Sequence, residues 1–143
     1  MAPDKATVDR LADVELFRRC SKKDLEALAA VVEEIDVAPG TVLCDQGRVA
    51  DACYVVITGE ADIAVGDKTV ATAAAGQPIG EMGLLDHLPR SATVTARTDM
   101  HLYKITAERF ETVVQTTAIA RGLLEHLSRR LRELEAGRGT VAV

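Results

Sequence analysis

A chain of 143 residues with a formal net charge of −5 can hold one domain with a real core, but not comfortably two. Hydrophobic residues make up 48% and charged residues 27%, the profile of a soluble globular protein. The acidic balance, with no Trp, two Phe and two Tyr, excludes a broad nucleic-acid face of cationic patches and stacking platforms.

The N-terminus, "MAPDKATVDR", has no apolar stretch of the kind a secretory signal carries. Residues 8–20 place Leu11, Val14 and Phe17 at helical spacing, and a short helix is predicted there. Ser21-Lys22-Lys23-Asp24 fits a capping box. Leu25, Leu28, Ala29 and Val32 then follow the i, i+3, i+4, i+7 pattern of an amphipathic helix. No unbroken apolar run is longer than Ala27 to Val32, which falls short of the about 20 residues that a membrane-spanning helix needs.

From Ile35 to Ile105 the texture becomes β-rich. Strands are predicted at 35–38, 41–44, 53–58, 60–65, 69–74, 92–97 and 101–105. Turn residues separate them, among them Pro39-Gly40, Thr58-Gly59 and Gly66-Asp67. Short strands at near-regular spacing indicate a sandwich or barrel. After Thr106, which is placed to cap a helix through about Gln115, the pattern turns helical again. A last helix is expected from about Ala118 to Glu135, followed by a frayed tail, "AGRGTVAV".

Three cysteines, Cys20, Cys44 and Cys53, are odd in number and show no CxxC spacing, which predicts free structural thiols and a cytoplasmic location. His87, His101 and His126 are too scattered for a metal site. The absence of GxSxG, HExxH and Walker motifs argues against an enzyme.

One stretch breaks the strand pattern: residues 79–96, "IGEMGLLDHLPRSATVTA". Its glycine-interrupted head suits a single helical turn starting at Gly80-Glu81, with backbone N–H groups exposed to an anion. Gly80 lets the backbone approach a ligand. Arg90, fixed by Pro89, supplies a guanidinium fork for phosphate oxygens, and Ser91 adds a hydroxyl. A carboxylate beside a phosphate is repelled unless it accepts a hydrogen bond, so Glu81 is read as an acceptor for a ribose hydroxyl. Phosphate and ribose a few ångström apart make a nucleotide. The alternative for Arg90 is a surface arginine paired with Asp86 or another acid.

"GEMGLLDHLPRSATV" closely resembles the phosphate-binding cassette of cyclic nucleotide-binding domains, the modules of bacterial catabolite activators, protein kinase A regulatory subunits and cyclic-nucleotide-gated channels. "VELFRRCSKKDLEALAAVVEEIDVAPGTVLCDQG" resembles the family's opening helices and first strands, and "CYVVITGEADI" its central strand and glycine turn. The resemblance covers about residues 14–135, leaves 136–143 as a tail, and treats 1–143 as one domain. It implies an eight-stranded β-roll of the jelly-roll sandwich kind, with N-terminal helices, a short cassette helix and two C-terminal helices. It also implies ligand roles for Gly80, Glu81, Met82, Gly83, Arg90 and Ser91.

Residues of the last helix, Ala120, Leu124, Leu127, Leu131 and Leu134, alternate in steps of four and three, a short heptad seam that either forms a homodimer or packs on the chain's own roll. Arg129, Arg130 and Arg132 with Glu125, Glu133 and Glu135 read as a solvated face of mixed sign. The eight residues that follow Glu135 here are too few for a DNA-reading unit, so direct DNA reading is not expected of residues 1–143. The expectation is a stand-alone sensor of a cyclic nucleotide, cAMP before cGMP. It would use no cofactor and bind neither DNA nor membrane, and its C-terminal helices would signal to an unknown protein partner. The competing expectation is a ligand-free scaffold of the same fold, working through the helix seam.

Overall fold

The computed structural model describes residues 4–137. The chain enters through α1 (Lys5–Ala12), capped by the Asp4 side chain. A 3₁₀ turn, Glu15–Phe17, follows. The expected helix over 8–20 is thus two pieces. Leu11, Val14 and Phe17 are each three residues apart, a 3₁₀ repeat rather than a sustained 3.6 repeat, and all three are buried. The capping box forms as expected. Ser21 accepts from the Asp24 N–H while the Asp24 carboxylate accepts from the Ser21 N–H, and this opens α2 (Lys22–Ala29).

Eight strands follow: β1 (Glu33–Val37), β2 (Val42–Cys44), β3 (Ala52–Thr58), β4 (Ala61–Val65), β5 (Lys68–Ala73), β6 (Pro78–Ile79), β7 (Thr93–Ala96) and β8 (Met100–Thr106). They form two four-stranded antiparallel sheets, ordered β1-β8-β3-β6 and β2-β7-β4-β5. Seven lie within a residue or two of the predicted strands. The eighth, β6, is two residues long and carries too short a pattern to read. It exists because Tyr54 and Val55 of β3 pair with Ile79 and Pro78.

The sheet containing β3 and β8 is covered on both faces, so β3 reads as a continuous apolar run rather than an alternation. Cys53, Val55, Tyr103 and Ile105 face a core shared with the helices, including Leu11, Leu28, Phe110 and Leu123. Tyr54, Val56, Met100 and Leu102, with Ile79 of β6, face the other sheet, where they meet Ile63 and Val94.

Between β6 and β7 the chain forms α3 (Glu81–Asp86), and after β8 it forms α4 (Ala107–Val113), capped by Thr106, and α5 (Thr117–Glu135). α5 lies on the 3₁₀ turn through Gly122: a Cβ there would stand 2.0 Å from the Leu16 carbonyl oxygen. Ile119, Gly122, Leu123 and Arg130 are its buried residues. The heptad seam therefore meets its own chain only in part, at Ala120 and Leu127, which are half-buried. Leu124, Leu131 and Leu134 are exposed, Leu124 at 67%. The inward stripe lies one residue aside from the leucines. No helix among the described residues is long and apolar enough to cross a membrane.

Candidate functional site

α3 starts where β6 ends, and Gly80 makes the corner. Its φ of +84° is a left-handed conformation that L side chains rarely adopt. A Cβ at this position would lie 2.4 Å from Arg90 Nη1 and 3.2 Å from Cys44 Sγ. Gly83 is close-packed too, its missing Cβ 2.7 Å from that of Ala50. Met82 is half-buried.

Arg90 stands just before β7 and is only 6% exposed. Its backbone is held by the 45–48 turn: the Arg90 N–H donates to the Arg48 carbonyl at 2.8 Å, and its carbonyl accepts from the Gly47 N–H at 2.9 Å. Its guanidinium reaches inward. Nη1 donates to the Gly80 carbonyl at 2.7 Å, and Nη2 donates to the Ala52 carbonyl at 2.5 Å. Nη2 also lies 3.7 Å from the exposed Asp51 carboxylate. The surface-arginine reading does not describe this geometry, and the Asp86 carboxylate accepts instead from the Leu88 N–H at 3.0 Å. Ser91 is exposed beside it.

The two thiols nearby are inert. Burial pushes Cys44 up to about 11 and holds Cys53 higher still, against the opposing charge of Arg90. All three cysteines are free.

Glu81, the first residue of α3, is 2% exposed. Its Oε2 is buried with no hydrogen-bond partner, and its Oε1 lies 3.9 Å from His126 Nε2 on α5. Burial pushes the carboxyl above its usual range, while a backbone hydrogen bond and the charges of Arg130 and Arg90 act in the opposite direction. His126 is pushed down to about 4, first by burial and then by Arg130 and Arg129, so it is neutral near pH 7. Arg130 is 8% exposed, which corrects the expected solvated face at that position. A buried carboxylate opposite it makes a guanidinium tolerable on a packing stripe.

A cavity of about 410 Å³ adjoins this contact, lined by Thr72, Gln77, Pro78, His126, Arg130 and Glu133 among others. Gly80, Glu81 and Arg90 thus meet around one corner of the roll. Gly80 accepts from Arg90 through its carbonyl, and Glu81 follows it in the chain. The sequence reading missed Asp51 and His126 and set Arg130 on a solvated face. The last two continue the spacing Ile119, Leu123, His126, Arg130, a readable stripe hidden by the stronger leucine repeat beside it.

The arrangement offers a cation held on carbonyls and a buried carboxylate with an unused acceptor oxygen. The chemistry suits a ligand with an anionic group and a hydroxyl donor close together. Two four-stranded sheets, with helices from before and after the strands packed on the outer face of one of them, define a β-roll module. The chain belongs to the cyclic nucleotide-binding domain family, whose model matches residues 34–117.

Among its relatives, an uncharacterised ABC transporter ATP-binding protein of Mycobacterium tuberculosis is 42% identical over 99 residues, which is 66% of this chain and 30% of that protein. A cAMP-dependent protein kinase regulatory subunit of Blastocladiella emersonii is 33% identical over 126 residues, covering 85% of this chain and 29% of that protein. The chain therefore spans under a third of the length of either relative. Among solved structures, a co-crystal of the regulatory domain of Toxoplasma gondii PKA with cAMP superposes with a TM-score of 0.73 at 26% identity, over 82% of this chain and 48% of that one.

Proposed function

We propose that the chain is a cytoplasmic sensor that binds a cyclic nucleotide, cAMP before cGMP, and passes a shift of α4 and α5 to a protein partner. The cyclic phosphate meets Arg90, Ser91 and the backbone from Gly80 to Gly83 through Met82. The ribose hydroxyl donates to Glu81. The observation that carries the reading is the Oε2 of Glu81, fully buried without a partner beside a buried guanidinium. An unsatisfied buried acceptor is costly, and a ligand hydroxyl is the donor that would satisfy it. A relative named as a cAMP-dependent kinase regulatory subunit, and a solved regulatory domain holding cAMP, support the choice of ligand.

The test is calorimetry with cAMP, cGMP and 5′-AMP on the 143-residue chain, repeated with Arg90→Lys and Arg90→Ala. Removing one member of a buried charge pair costs about 3–5 kcal/mol, at least a hundredfold in affinity. Arg90 also pins Gly80 and Ala52, so melting temperatures accompany each titration. The lysine variant keeps the charge and loses the fork. Wild-type affinity in a folded Arg90→Ala variant overturns the assignment.

A second element rests on a separate observation. Leu124, Leu131 and Leu134 form an exposed apolar line along α5, flanked by the Arg18–Glu125 and Arg19–Glu125 ion pairs. We assign this line to a homodimer contact between two copies of α5. The same contact would serve a scaffold that binds no nucleotide. A melting temperature unmoved by millimolar cyclic nucleotide favours the scaffold, because a ligand selective for the folded state raises stability.

A further inference from the structure

A groove of about 550 Å³ runs between α5 and the 3₁₀ turn, and none of Gly80, Glu81 and Arg90 lines it. Its charged walls are Arg18, Arg121, Arg129 and Arg132, with Glu15 and Glu125. Leu124 lines it too, so the groove borders the leucine line.

Its ion pairs do not balance. One carboxylate, Glu125, accepts from Arg18 at 2.8 Å and from Arg19 at 2.6 Å, and Arg121 stands 4.0 Å from it. Arg18, then Arg19, hold that carboxyl below its usual range, so it is ionised and already shared. Glu15 takes Arg129 at 3.2 Å. Arg132 has no ion pair among the described residues. It lies three positions from Arg129, where like charges on a helix repel. A network serving only to tie α5 to the turn would match cations with anions. The side chains of Arg18, Arg121 and Arg129 are instead more than half exposed.

Five of the chain's 17 basic residues and two of its 22 acidic ones meet here, which leaves 12 against 20 elsewhere. Most of the surface therefore repels an anion, and this groove attracts one.

We propose that the groove between α5 and the 3₁₀ turn docks an acidic segment of a partner protein, whose Asp and Glu side chains supply the anions that the groove lacks.

Charge complementarity selects that occupant, and size agrees with it. Arg121 and Arg132 stand eleven positions apart on α5, about 16 Å along its axis. An extended segment of about five residues covers that length. Each guanidinium fork takes a carboxylate through two N–H groups. Nucleic acid fits worse. All four aromatic side chains, Phe17, Tyr54, Tyr103 and Phe110, are buried, so no base can stack on them. The acidic surroundings also repel a phosphate chain longer than the groove.

The test is fluorescence anisotropy of a labelled pentaglutamate peptide with the 143-residue chain, with pentaglutamine as the uncharged control. Glu15 and Arg129 also line the cavity beside Glu81, so the variants leave them intact. Arg121→Glu with Arg132→Glu should weaken pentaglutamate binding about tenfold, since each reversal replaces an exposed attraction by a repulsion. Lys5→Glu with Lys68→Glu makes the same net charge change at exposed sites outside the groove, and should bind as wild type. Added salt should weaken the wild-type complex. Melting temperature and cAMP titration should be the same in both double variants and the wild type, because these four residues line no part of the cavity beside Glu81. A failed nucleotide titration with the peptide result intact thus removes the sensor reading and leaves the docking groove standing.

Equal losses in the two double variants overturn the proposal, because the general field alone would then explain binding. Wild-type affinity in the arginine variant overturns it as well. So does tighter binding of a five-residue thymidylate or of phosphatidylserine vesicles. No peptide binding, with self-association that the arginine variant loses, gives the face to a second copy and overturns it too. Should the arginine variant fail to fold, Arg121→Gln and Arg132→Gln singly decide, each expected to weaken peptide binding about twofold to threefold.

Discussion

Arg90 Nη1 donates to the carbonyl oxygen of Gly80 at 2.7 Å, and that single bond ties the start of α3 to the strand that follows it. The pair is mutually dependent. Gly80 has the left-handed φ that aims its carbonyl, and it has no side chain where the guanidinium lies.

Gly80→Ala should therefore be poorly tolerated. A left-handed alanine costs about 1–2 kcal/mol, and its Cβ meets the guanidinium before any relaxation. Urea denaturation should show a lowered midpoint with unchanged slope, and cyclic-nucleotide affinity should fall with it. A variant of wild-type stability would show that Arg90 can move away freely.

Glu81→Gln should separate stability from binding. The carboxyl is raised by burial, so its ionised form opposes folding near neutral pH and protonation favours the folded state. The neutral amide should leave the melting temperature at pH 7 unchanged or higher. The wild type should gain relative to the variant as pH falls through the raised value. Nucleotide affinity should drop about ten- to hundredfold, the loss of a hydrogen bond to a charged acceptor of about 1.5–3 kcal/mol. A parallel loss of stability and affinity would mean that Glu81 is structural.

His101 makes a different pH prediction, on the far face of the β1–β8 pair. Its Nδ1 lies 2.7 Å from Asp36 and its Nε2 2.7 Å from Glu34, which also accepts from Arg10. The hydrogen bond with Asp36, then that with Glu34, holds its pKa up against partial burial. A histidine raised in the folded state contributes stability that is complete below its unfolded value and is lost as pH rises through the folded one. Thermal melts from pH 5 to pH 9 should show the excess of wild type over His101→Gln shrinking at the alkaline end. The carboxylates are well exposed, so the effect should be small and weakened by salt. An excess that grows with pH would contradict the assignment.

Leu131→Glu tests the α5 contact. The side chain is exposed, so stability of the monomer should change by no more than about 0.5 kcal/mol. Sedimentation equilibrium should show the wild type as a dimer and the variant as a monomer. Both species sedimenting as monomers would remove the dimer contact.

Gly122→Val should free α5 from the 3₁₀ turn. The added Cβ would fall on the Leu16 carbonyl, backbone that cannot swing aside, and overpacking of this kind costs about 1–3 kcal/mol. Faster hydrogen exchange confined to α5 is the expected signature. Protection equal to wild type would show that the helix does not seat through this glycine.

The amino-acid sequence determined the local parts of this protein because their causes are local. Ser21 and Asp24 cap α2 from three residues apart, Thr106 caps α4, and the strand runs with their glycine turns are written in residues next to one another. The spacing of Gly80, Glu81 and Arg90 within eleven residues was legible for the same reason. Tertiary structure decided what depends on partners far along the chain. β6 is a strand only because β3 lies beside it, and the first helix breaks where Val14 and Phe17 turn into the core. The leucine repeat of α5 names one face, yet packing against Leu16 chose the face beside it. That choice put His126 and Arg130 over Glu81, 45 and 49 residues away in the chain. Burial, and with it every shifted pKa at the site, is a property of the assembled layers and of no segment alone.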